Sequence, residues 1–261
     1  MRKIIKGDKG VYLHRLNLKE LPDFLLDVEV EYEFDCSNND LTSLKGCPRV
    51  VNGGFFCDNN PELTSLKGCP EIVGEDFICH ATGIDSLKYA PKHIYGSFFC
   101  NSNNNLINLK DGPTTVGGGY HAQIGNLKSL EGAPEVVTGD FDCSFNKLTS
   151  LKWSPKTIID GYFNCENNKL LKSLKDATVP NRGNFYCGGC DLSNLEGAPE
   201  RVKGTFTCED NPLLSLDGIP KIVDGDFVIS ANLREKFPDK YIKNLCYIGG
   251  RLVYQNVGGL I

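Results

Sequence analysis

No stretch of this 261-residue sequence approaches the roughly 18–20 consecutive apolar residues of a membrane-spanning helix. The first nine residues are basic but lack the apolar centre of a signal peptide. Positive charge is not in excess: 28 Lys and Arg face 33 Asp and Glu, a net charge of −5. Sequence-independent binding to nucleic acid draws on a basic surface, so this balance argues against it. Histidine is scarce, at four residues, which leaves little for acid–base chemistry, and Met1 is the only methionine. No linker divides the chain, so a single domain spanning 1–261 is expected. With no leader or span legible, the expected setting is the reducing cytoplasm, where thiols stay free.

Glycine and cysteine, in contrast, are plentiful, at 28 and 12 residues. Their spacing decides the architecture. The second leucine of each Leu-x-x-Leu step falls at Leu44, Leu66, Leu87, Leu109, Leu130, Leu151, Leu174, Leu195 and Leu216, every 21 to 23 residues. A second marker keeps the same beat: Cys36, Cys57, Cys79, Cys100, Ala122, Cys143, Cys165, Cys187, Cys208 and Ile229. Two markers in one period predict a solenoid of about ten coils over 33–232, capped by 1–32 and 233–261. The N-terminal cap should hold a hairpin turning at residues 6–10. The C-terminal one should hold a short helix near Pro238–Asn244 and then a hairpin over Tyr247–Tyr254.

Phe141-Asp142-Cys143-Ser144-Phe145-Asn146-Lys147-Leu148-Thr149-Ser150-Leu151 is the cleanest unit. This Φ-x-C-x-x-N-x-L-x-x-L run resembles the leucine-rich-repeat pattern, with Phe and Cys in place of the two strand leucines. The resemblance covers about 200 residues, and the short period is most similar to repeats of bacterial effectors and tailed-phage proteins. It implies a mainly β fold with one parallel sheet on a concave face and a mostly irregular or extended convex side. It also implies recognition of a protein partner, such as a host protein met by a phage-encoded modulator. A structural or virion-assembly role is the alternative. Ubiquitin ligases that carry such repeats use a Cys-x-Asp motif in a separate domain. Here the tail reads Cys246-Tyr247-Ile248, with too little chain for that domain.

Each slot has a physical reason. Period two puts Phe141 and Cys143 on one side of the strand and Asp142 and Ser144 on the other, so a Phe column and a Cys column should fill the interior. The turn slot reads Asn39, Asn60, Thr82, Asn103, Gly125, Asn146, Asn168, Cys190, Asn211 and Asn232. An inward amide there can satisfy turn carbonyls and N–H groups, an asparagine ladder beside the cysteine one. Gly125 offers no such group, and its coil should be the loosest. Glycines such as Gly74, Gly96 and Gly161 precede strands, as a sharp corner or a positive φ demands.

Little in this pattern speaks for catalysis, and the chain reads as a non-enzyme without metal or cofactor. Cys187-Gly188-Gly189-Cys190 has the spacing of half a zinc site, but register assigns Cys187 to the strand slot and Cys190 to the asparagine slot. Ladder thiols should be desolvated and inert, leaving Cys246 as the thiol worth testing. The informative surface is the outward slot between Phe and Cys. Phe56, Ile78 and Phe99 form an apolar stripe there, continued by His121 and rimmed by Asp58, His80 and Asn101. Tyr162 and Tyr186 are a second aromatic pair further along. Exposed aromatic patches with polar rims mark partner sites. Asp35, Asp58, Asp76, Asp140, Asp142, Glu166, Glu209 and Asp226 lie on or beside this face, so the expected partner has a basic surface.

Overall fold

The computed structural model describes residues 5–6 and 10–256. In it the chain winds as the repeat predicts. Two-residue strands recur at each Φ slot, from Val11–Tyr12 and Phe34–Asp35 through Phe206–Thr207, followed by four-residue strands at Phe227–Ser230 and Leu252–Gln255. They pair in parallel and in register, Phe34 beside Phe55 and Phe55 beside Phe77. Thirteen strands form this first sheet, and the outermost, Ile5–Lys6, runs antiparallel to Val11–Tyr12. That pair is the expected hairpin, although residues 7–9 of its turn lie outside the described residues.

Register explains the interior. Ten aromatic rings from Phe34 to Phe227 stack in one unbroken file with centroids 5.1 to 5.9 Å apart. Such pairs add about 0.5–1.5 kcal/mol each beyond their buried area. Beside them runs the cysteine column, and all twelve cysteines are free thiols. Cysteine does more there than fill space. The Sγ of Cys36, Cys143 and Cys187 donates to the carbonyl of the next coil at Phe56, Asn164 and Thr207, over 3.3, 3.2 and 3.1 Å. The asparagine column binds coil to coil as well. Asn60 accepts the N–H of Leu41 at 3.0 Å and donates to the carbonyls of Cys36, Cys57 and Asp58. Asn103, Asn146, Asn168 and Asn211 repeat the arrangement. Asn232 does not. It is exposed, because the chain leaves register in the 3₁₀ turn Ala231–Leu233.

The extended far side of the coil is itself paired. Val50–Val51, Ile72–Val73, His93–Ile94, Thr115–Val116, Val136–Val137 and Thr157–Ile158 make a second parallel sheet of six strands. Arg201–Val202, Ile222–Val223 and Tyr247–Ile248 make a third. Between them the coil at Pro180 keeps only an isolated bridge to Ile158. The second residue of each pair points into the core and the first points out.

Glycine at the corners serves close approach more than unusual backbone angles. A Cβ at Gly74 would collide with the carbonyl of Asn52 in the coil below, and its φ is not in the left-handed region. Left-handed backbone recurs elsewhere, two residues after the second leucine. There Gly46, Gly68, Gly132, Gly197 and Gly218 have φ between 82° and 98°.

One expectation fails at the C-terminus. The helix Asp239–Leu245 forms as expected, but Tyr247–Tyr254 is not a hairpin. Tyr247–Ile248 pairs in parallel with Ile222–Val223, and Leu252–Gln255 pairs in parallel with Phe227–Ser230. Gly249 and Gly250 are the corner between two sheets, as Asp224 and Gly225 are one coil earlier. The cap therefore adds one more coil, and the stack continues beyond residue 232.

Candidate functional site

Three outward columns form the open face of the first sheet, and the predicted residues lie on it. Phe56, Ile78 and Phe99 are side by side on paired strands, and Phe99 continues onto His121, their rings parallel with centroids 4.5 Å apart. The stripe is continuous but flatter than expected, because all four side chains are half-buried. Glycine is the reason at Phe56 and His121; at Ile78 and Phe99 the residues two earlier are Asp76 and Ser97. A Cβ at Gly54 would lie 2.6 Å from the Phe56 ring, and one at Gly119 would meet the His121 ring. The Phe56 and His121 rings lie back along their strands over a missing side chain two residues earlier. Gly10 and Tyr12 repeat the arrangement. The sequence carried this signal as Gly-Φ-aromatic, at Gly54-Phe55-Phe56 and Gly119-Tyr120-His121.

Polar side chains border the stripe as predicted. Asp58 is buried, with its carboxylate 3.6 Å from the His80 ring and 2.6 Å from the Asn59 amide. Burial raises its pKa, opposed by His80 and by the Asn59 hydrogen bond. Asn101 is half-buried and donates to Ser102 at 3.3 Å. His14, from the cap, contributes an unexpected partner, 3.0 Å from Asp35. The His121 imidazole is pulled below its ordinary value by desolvation, which outweighs Asp142, Asp140 and Asp76.

Further along the face, Tyr162 and Tyr186 meet edge to face with centroids 5.5 Å apart. Around them the carboxylates serve two purposes. Asp76, Asp140 and Asp226 each accept a backbone N–H from the next coil, at Ser97, Tyr162 and Arg251. Asp142 is buried on the backbone and hydroxyl of Ser144. Glu166 and Glu209 stand two coils apart with Gly188 between them. Burial pushes the Glu166 carboxyl up to about 7, and Glu209 adds to the rise while a hydrogen bond from Thr207 opposes it. Burial raises Glu209 as well. Of the eight acids on this face, Asp35, Asp58 and Asp226 have a basic partner among the described residues. The face is therefore aromatic, negative and short of cations.

More exposed apolar side chains lie elsewhere. Ile72, on the second sheet, is 49% exposed, and Tyr95, just after the strand His93–Ile94, is 71% exposed; no binding residue was predicted there. Tyr89 and Trp153 occupy the left-handed slot that five coils fill with glycine, at φ 80° and 75°. Each is about half exposed and carries the preceding lysine ammonium over its ring.

Cys246 was the thiol singled out for testing. It is buried, and desolvation pushes it up to about 11. Among the described residues, no three His, Cys, Asp or Glu side chains are grouped to hold a metal ion, and no helix is long and apolar enough to cross a membrane. Comparison with protein-family models, curated proteins and solved structures finds no match for this chain.

Proposed function

We propose that this chain is a non-catalytic protein-binding scaffold, similar in kind to leucine-rich-repeat proteins, and that its partner docks on the open face of the first sheet. One observation carries the reading: the stripe Phe56–Ile78–Phe99–His121 runs unbroken across four coils, on a face where five of the eight acids have no basic partner among the described residues. The stripe supplies apolar area that is already ordered, so little side-chain entropy is lost on docking. The carboxylates favour a partner with a basic surface and speed its approach. The leucine-rich-repeat resemblance supports a host protein as that partner, and the twelve free thiols support a reducing, cytoplasmic setting.

Capture from host extract with wild type, with Phe56→Asp/Phe99→Asp and with Ile72→Asp/Val136→Asp tests the reading. Partners should be lost with the first variant and kept with the second. If every captured protein binds the first variant as well as wild type, the docking face is wrong. The second-sheet row of Val50, Ile72 and Val136, each at least 36% exposed, favours a second reading, self-assembly. In that case Ile72→Asp/Val136→Asp would lower the solution mass of wild-type oligomers.

A further inference from the structure

The two ends of the stack differ. At the N-terminal end the interior is closed: Val11, Leu13, Leu21 and Leu25 are at most 5% exposed, with the hairpin strand Ile5–Lys6 and the 3₁₀ turn Asp23–Asp27 beside them. At the C-terminal end it is not. Val223, Phe227 and Ile229 are fully buried, yet Ile248, Leu252 and Tyr254, which fill the same slots one coil later, are half-buried. These three pack against the core on one side and meet no further coil on the other. Repeat stacks need a covered end, because an unshielded coil leaves apolar surface wet.

The backbone is open at the same place. Leu252–Gln255 is the last strand of the first sheet and Tyr247–Ile248 the last of the third. The Phe227 N–H donates to the Arg251 carbonyl at 2.8 Å. Backbone groups alternate in side along a strand, so Leu252 and Tyr254 turn theirs away from the stack. Tyr247 and Gly249 donate to the carbonyls of Lys221 and Val223 at 2.9 and 2.8 Å, which leaves the groups of Ile248 facing outward too. The N–H and C=O of Ile248, Leu252 and Tyr254 have no partner among the described residues. An edge strand without proline or an inward charge is a template for another strand.

We propose that the C-terminal coil of a second copy covers this edge, giving a two-fold dimer joined end to end. A two-fold axis crossing the last coil from the first sheet to the third reverses both edge strands, so both meet their copies antiparallel. A second copy thus supplies both missing edges at once. Centred on Val253, the axis sets Leu252 opposite Tyr254 of the second copy, and their outward N–H and C=O groups bond to each other. Val253 then faces its own copy with Cβ atoms about 5 Å apart. Charge fits this register. Arg251 stands opposite Gln255 of the second copy and is already paired with Asp226, while Arg234, over the Tyr254 ring, is paired with Asp239. A head-to-tail contact would instead lay the open layer on an interior that is already closed. The dimer leaves the Phe56–His121 stripe uncovered and turns both open faces to one side, so it goes beyond the docking reading and does not depend on it.

Sedimentation velocity of the full chain from about 1 to about 100 µM tests the proposal. Wild type should reach twice the 28.7 kDa mass of one chain. Val253→Asp and Val253→Lys should each stay at the single-chain mass, because like charges then face each other across the axis. Their equimolar mixture should regain the doubled mass, and Ile72→Asp/Val136→Asp should keep it. Independently, amide exchange at Leu252 and Tyr254 of wild type should slow at least about tenfold at the high concentration, a comparison that stands even where a variant fails to fold. Wild type at the single-chain mass throughout would overturn the proposal: protected amides would then point to residues 257–261 on the edge, and unprotected ones to a different protein. A doubled mass that survives Val253→Asp, that the mixture does not restore, or that Ile72→Asp/Val136→Asp abolishes would overturn it as well.

Discussion

Asn60→Ala is the sharpest perturbation of the coil-to-coil bonding. Asn60 is fully buried, and its amide serves four backbone groups. Two of these keep another partner when the amide is removed. The Cys36 carbonyl still receives the Asn39 amide, and the Asp58 carbonyl still receives the N–H of Asn38. The other two do not. The N–H of Leu41 has no other partner among the described residues, nor does the carbonyl of Cys57, because the next coil fills the slot with Thr82, which bonds to the Cys79 carbonyl instead. Each stranded buried group costs about 1–3 kcal/mol. With the small cavity added, the loss should come to about 3–5 kcal/mol, a large share of the 5–15 kcal/mol typical of a domain. Urea unfolding followed by circular dichroism measures it, as a lower midpoint at unchanged slope. Exposed Asn232→Ala is the matched control and should change stability by no more than about 0.5 kcal/mol. A loss below about 1 kcal/mol for Asn60→Ala would refute the view that the asparagine column holds the coils together.

Three further outcomes follow from individual side chains. Tyr120 fills a Phe slot, fully buried, and its hydroxyl has no hydrogen-bonding oxygen or nitrogen partner, so Tyr120→Phe should stabilise the fold by about 1–2 kcal/mol in the same urea assay. Glu166, held protonated up to about 7 against an ordinary 4.5, keeps its proton in the folded chain where the unfolded chain has lost it. Its stability contribution is therefore full below the unfolded value and lost as pH rises from there to about 7. Glu166→Gln should remove that fall and gain about 1–2 kcal/mol at pH 8 relative to wild type, after screening of a half-buried group is allowed for, with little gain at pH 4. Trp153 holds a left-handed backbone that costs a non-glycine residue about 1–2 kcal/mol, so Trp153→Gly should raise the melting temperature unless the Lys152 contact offsets the strain.

The first sheet was legible because its slots differ chemically. Phe, Cys, Asn and Leu each recur in phase, and each has one place where its chemistry fits. The second sheet was harder to see. Its signal, an apolar residue three positions after the proline as in Pro48-Arg49-Val50-Val51 and Pro134-Glu135-Val136-Val137, covers only two residues per coil and reads as a proline marker. The C-terminal error has the same root. Tyr247-Ile248-Gly249-Gly250-Arg251-Leu252 resembles a hairpin by local turn chemistry, yet it repeats Ile222-Val223-Asp224-Gly225-Asp226-Phe227 slot for slot. At the candidate site the stripe's membership was legible and its depth was not. Half-burial of Phe56 depends on Gly54 beneath the ring, and alternation assigns a residue to a face without saying how far it rises from it.

Hydroxyl-radical footprinting of the complex with a captured partner bears most directly on the docking face. Phe56, Phe99, His121, Tyr162 and Tyr186 should lose labelling on binding, while Tyr95 and Trp153 keep theirs. Protection confined to Tyr95 and Trp153, with the first-sheet rings labelled as in the free protein, would contradict the account.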